Sequence, residues 1–156
     1  LALDEFTLAR VFHVVAILFW IGGVAFVTLV VMPSIRTNHA PAERLAAFRQ
    51  IESGFAPQAR LWVLLAGLTG FWMCWRADLW SRFADARYWW MHAMVLVWAI
   101  FTLMLFVAEP LAIHRRMEQS TNPEADFARM ELAHRVLLAL SLVAVIGAFG
   151  GSHGLF

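Results

Sequence analysis

The stretch "RVFHVVAILFWIGGVAF", residues 10–26, decides the fold class. It belongs to an apolar run from about Thr7 to Met32. At ~1.5 Å per helical residue, that run is long enough to cross a hydrocarbon core about 30 Å thick. One imidazole, His13, interrupts it, with Trp20 and the glycine pair Gly22 and Gly23 beyond. Histidine inside hydrocarbon is costly unless it is paired or ligating, so His13 needs a partner.

Outward from this run, three more apolar stretches follow, giving spans of about 7–32, 59–75, 88–113 and 133–149. Hydrophobic residues make up 62% of the 156-residue chain, too many for a soluble domain. The expected fold is all-α, a single transmembrane domain over residues 1–156. Short connections make neighbouring helices antiparallel, which points to a four-helix bundle. Pro33 is expected to close the first span, Pro110 lies in the last turns of the third, and "GGSHG" at 150–154 breaks the fourth. Between the first two spans, the amphipathic segment Pro41–Ile51 reads as a helix lying on the membrane surface. Gly22, Gly23, Gly67, Gly70, Ala139, Ser141, Ala144, Gly147 and Ala148 supply small faces for close helix packing.

Every basic residue is an arginine, and the net charge of +1 leaves no nucleic-acid footprint. The lone Cys74 excludes an internal disulfide and the Cys-x-x-Cys-His attachment of a c-type haem. No A-x-A-like cleavage site follows the first run, which therefore reads as a span. Arg36, Arg44, Arg49, Arg60, Arg115, Arg116, Arg129 and Arg135 flank loops one and three, against Arg10, Arg76, Arg82 and Arg87 on the other side. The positive-inside rule then puts loops one and three in the cytoplasm and both termini on the outer, periplasmic side of a bacterial inner membrane. Trp75, Trp80, Trp89 and Trp90 form the outer interfacial belt.

Five of the six histidines lie at or inside span ends. His13, His92 and His153 fall at the outer level and His114 and His134 at the inner one, while His39 sits in a loop. His92 and His114 are 22 positions apart. In unbroken helix that is about 33 Å and within roughly 40° of one face. Haem b is held without covalent links by axial nitrogens on facing helices, which a bundle interior supplies. The expected ligands are His13 and His92 for an outer haem, with His153 able to replace either, and His114 and His134 for an inner one. Arg10, Arg115, Arg116 and Arg135 are candidate partners of haem propionates. Each of these residues also has a plainer reading: a solvated interfacial histidine, or an arginine that sets topology. Copper on imidazole with Met73, Cys74, Met91 or Met94 is a rival, though methionines in apolar helices are mostly filler. His-Glu-x-x-His and Gly-rich nucleotide loops are absent. Glu109, five residues before His114, reads either as a proton- or quinone-handling carboxylate or as one reaching the headgroups.

The pattern "HVVAILFWIGG", with His13, Trp20, Gly22 and Gly23, resembles the first-helix signature of CopD-like and HemJ-like membrane proteins. "WWMH", with Trp90 and His92, is similar to a Trp-x-His element of the HemJ-like group. The resemblance implies haem b binding with His13 as a ligand and His92 as the next candidate, and links the chain to protoporphyrinogen oxidation. Its CopD-like side implies copper uptake. Two positions after His92, where the HemJ-like group carries a lysine, this chain has Met94.

The expected function is a membrane b-type cytochrome with one or two haems, with catalysis of its own left open. It would relay electrons between the quinone pool and an outer-surface redox partner, or serve as a subunit of a respiratory complex. Its expected partners are membrane lipid, quinone, and other redox subunits or a second copy, with no nucleic acid. Protoporphyrinogen oxidation and copper transport are the alternatives.

Overall fold

A computed structural model describes residues 4–113 and 120–155. Helix dominates, and no strand occurs among the described residues. Helix α1 (Glu5–Phe26) is started by Asp4, whose carboxylate accepts from the backbone N–H of Phe6 and Thr7 at 3.2 and 3.3 Å. It runs on through a π-helical turn, Val27–Val31, into α2 (Met32–Asn38). Pro33 therefore does not close the first helical rod, contrary to expectation. The π turn widens the backbone just before Pro33, so its ring and missing N–H fall where the regular ladder is already interrupted.

Helix α3 (Arg44–Arg76) joins the expected surface helix and second span into one rod of 33 residues. The apolar face of its amphipathic beginning packs inward, against the other helices. Phe48, 1% exposed, clusters with Met32, Ile35 and Phe127. Two 3-10 turns, Leu79–Ala84 and Ala86–Tyr88, then cross one end of the molecule. Helix α4 (Trp89–Leu103) continues as a π-helical stretch, Met104–Ile113. Arg60 reaches this stretch from α3, donating to the Leu105 carbonyl at 3.0 Å and pairing with Glu109 at 3.2 Å.

Helix α5 (Pro123–Ser152) begins at Asn122, whose side chain accepts from the Ala125 N–H at 3.1 Å. Gly150 and Gly151, expected to break it, remain helical. The end comes at Gly154, which takes the left-handed conformation with φ +76. There the Leu155 and Gly154 N–H groups return to the Gly150 and Gly151 carbonyls at 2.9 and 3.3 Å. That pattern is a Schellman cap, and it holds His153 at the end of the helix.

Helix α1 packs along α3 and α4 along α5, while α3 also touches α4 and α5 and α1 touches α5. Ala16, Trp20, Val63, Val97, Phe101, Leu138 and Ala144 form the shared core. At the end away from the 3-10 turns, Glu131 is buried between Arg36 and Arg135, with Arg135 at 2.7 Å, tying α2 to α5. Large apolar side chains such as Leu18, Leu29, Leu96 and Ile146 face outward. The segments Glu5–Asn38, Ala86–Pro110 and Pro123–Ser152 are long and apolar enough to cross a membrane, as expected of a multi-pass membrane protein. The apolar stretch 59–75 of α3 is not among them, being rich in tryptophan and bounded by Arg60 and Arg76.

Candidate functional site

The end that carries the 3-10 turns forms a half-open cavity of about 700 Å³ between α1, α3, α4 and α5. That size falls within the range of small-molecule and cofactor sites. Its wall is mostly apolar, with Trp98, Met94, Val97 and Ala144 among the lining residues. Both His13 and His153 line it.

His13 is half-buried, and its Nδ1 lies 2.9 Å from the Ala66 carbonyl and 3.0 Å from the Thr69 hydroxyl. A carbonyl oxygen only accepts, so Nδ1 carries the hydrogen, and in the neutral ring Nε2 keeps its lone pair. This donation to a backbone carbonyl is also how metal-ligating histidines are commonly oriented. Gly70 makes room for the ring. A Cβ there would lie 3.1 Å from His13 Cε1. The glycines expected to bring helices together mostly receive side chains instead. A Cβ at Gly67 would meet the Trp98 indole at 2.6 Å, and one at Gly147 would meet the Trp89 ring at 2.6 Å. Trp98 is held there by donating to the Val63 carbonyl at 3.0 Å. Gly22 faces open space and packs against nothing.

Trp20 also lines the cavity, and its Nε1 is a buried donor with no partner among the described residues. His153 donates from Nδ1 to the Phe149 carbonyl at 2.8 Å, which leaves its Nε2 the free nitrogen. His92 sits at the same end and, like His153, is exposed, but it is not part of the cavity lining. Its Nε2, not Nδ1, is engaged, donating to the Phe83 carbonyl at 3.0 Å.

Of the inner pair, His114 lies outside the described residues. His134 donates from Nδ1 to the Met130 carbonyl of its own helix at 2.9 Å and packs edge-on against Phe48, ring centroids 5.4 Å apart. His39 is exposed, as a loop histidine should be. Among the described residues, no group of three or more His, Cys, Asp or Glu side chains is placed to hold a metal ion.

Three contributors carry no periodic signal in the sequence. Thr69 orients His13, Arg82 lines the cavity from a 3-10 turn, and Glu131 anchors two arginines at the other end. Only Glu131 had a readable cue, the Glu-to-Arg135 spacing of i, i+4.

Glu52, in α3 ahead of the stretch 59–75, is a further titratable group near the Glu109 carboxylate. Burial first, then Glu109, push its carboxyl up from 4.5 to about 7, with Arg49 opposing. A folded-state value above the unfolded one means the folded chain binds the proton more tightly, so stability falls as pH rises from about 4.5 to about 7. Glu52→Gln is expected to flatten that slope, as read by thermal unfolding in detergent across the same window.

Comparison with protein-family models, curated proteins and solved structures finds no match.

Proposed function

We propose that this chain is a membrane b-type haem protein that relays electrons, with its haem in the cavity between His13 and His153. The observation that carries the reading is His13 itself. Its Nδ1–H is fixed on a backbone carbonyl and its Nε2 is bare, in the wall of a mostly apolar cavity of about 700 Å³. Two imidazoles on different helices, each with Nδ1 engaged and Nε2 free, are a donor set that suits haem b, and the volume and Gly70 cradle suit it too. Bound haem would supply one-electron redox chemistry. The chain's own residues would orient the ligands, exclude water and set the polarity around the iron. His92 would need its Nε2 released from Phe83 before it could take part through that atom. An inner haem on His114 and His134 remains part of the proposal only as a second site.

The accompanying topology has four spans, with α3 crossing through 59–75 and the cavity facing the periplasmic side of a bacterial inner membrane. The arginine distribution supports it. The electrons would pass between quinone and an outer-surface redox partner, as one subunit of a larger assembly.

A second reading, copper handling, is favoured by one observation: Met73, Cys74, Met91 and Met94 line the same cavity as His13. A reduced-minus-oxidised absorption spectrum of the purified protein, with iron and copper analysis, separates the two. Haem-type difference bands with about one iron per chain support the first reading. Stoichiometric copper without those bands overturns it in favour of the second.

A further inference from the structure

The outer end carries four arginines, and they divide into two pairs. Arg76 is matched to Glu5 at 3.6 Å, and Arg87 to Asp85 at 2.7 Å. Arg10 and Arg82 make no ion pair with a carboxylate among the described residues, and these two line the cavity. Arg82 lies 4.9 Å from the centre of the Tyr88 ring, a cation–π contact that restrains the guanidinium without neutralising it. Both arginines are exposed at the boundary of a cavity whose wall is mostly apolar. A ligand matched to this arrangement has an apolar body and anionic groups along one edge.

We propose that Arg10 and Arg82 form an anion-recognising rim, and that the cavity takes a flat apolar ring system carrying two carboxylates, one for each guanidinium. Planar guanidinium groups bind carboxylates through two parallel hydrogen bonds, which gives orientation as well as attraction. Arg10 comes from α1 and Arg82 from the turn after α3, so a dicarboxylate would bridge the two elements. The ligand class deepens the haem reading and rests on it, but its carboxylate recognition can be tested without any iron.

The test is a fluorescence titration of the purified full chain with metal-free protoporphyrin IX and with its dimethyl ester. Neither can be ligated through iron, so His13 and His153 do not govern the result. The free acid is expected to bind at least tenfold more tightly than the ester. Arg10→Gln with Arg82→Gln should abolish that preference, and Arg10→Lys with Arg82→Lys should restore part of it. Arg76→Gln with Arg87→Gln, which alters the matched pair, should leave it unchanged. Equal binding of acid and ester, or no binding of the acid, overturns the rim. So does equal competition by phosphatidylglycerol, which carries one anionic group. A protein that prefers the free acid but gives no haem difference spectrum keeps the rim and loses the electron-transfer reading.

Discussion

His13→Ala is expected to abolish haem binding at the cavity, with loss of the haem bands from protein that still purifies as a monodisperse species. No other side chain has both the placement and the free nitrogen on α1 to replace it. The neighbouring contacts make graded tests available. Thr69→Val removes one of the two acceptors on Nδ1 but leaves the Ala66 carbonyl in place. Loss of such an outer contact commonly weakens metal affinity by about 10–100-fold, so partial retention is expected there. His153→Ala should resemble His13→Ala, whereas His92→Ala should keep its haem, since His92 is outside the cavity lining. Imidazole added to His13→Ala should restore part of the spectrum. Full haem in His13→Ala, or loss in His92→Ala alone, would sink this ligand assignment.

The second large effect is on stability, at the opposite end. Phe48→Ala is expected to destabilise the protein by about 3–5 kcal/mol, the usual range for removing a buried phenylalanine. Phe48 is 1% exposed, and its ring meets Phe127 at 6.4 Å and His134 at 5.4 Å between centroids. The hole left would sit where α2, α3 and α5 converge. Ile51→Ala, three residues on and 44% exposed, serves as the control and should cost well under half as much. Denaturation in detergent measures both. If the two substitutions cost the same small amount, the start of α3 lies apart from the other helices, as a surface helix would.

That contrast also marks where the sequence stops being legible. The apolar runs and the isolated His13 were readable, because each depends on neighbours within a few residues. The fusion of the surface helix into α3 was not. The amphipathic face around Phe48 is satisfied by Phe127, 79 positions away, and periodicity does not name the partner of a face. Pro33 and the Gly150–Gly151 pair read as helix stops, yet a π turn absorbs the first and Gly154 provides the actual stop after the second. The histidines were assigned by depth, and depth treats His92 and His153 alike. Their difference lies in side-chain direction, set by the Phe83 carbonyl for one and by the Schellman cap for the other. Arg82 is legible only as an outer-side arginine for the same reason: its place in the cavity wall depends on how the turn folds.

The cavity also carries a consequence for how the protein is made. His13 and its tether, Ala66 and Thr69, belong to the first two long helices, so that half of the wall is complete once α1 and α3 have paired. His153 arrives only with the final turn of α5. During synthesis the cavity therefore exists first as an open half-shell, and α5 completes its wall only after α1, α3 and α4 have emerged. On the proposed reading, retention of the haem reports that α5 has joined the other helices: chains arrested before α5 would display an oriented His13 with no His153 opposite it.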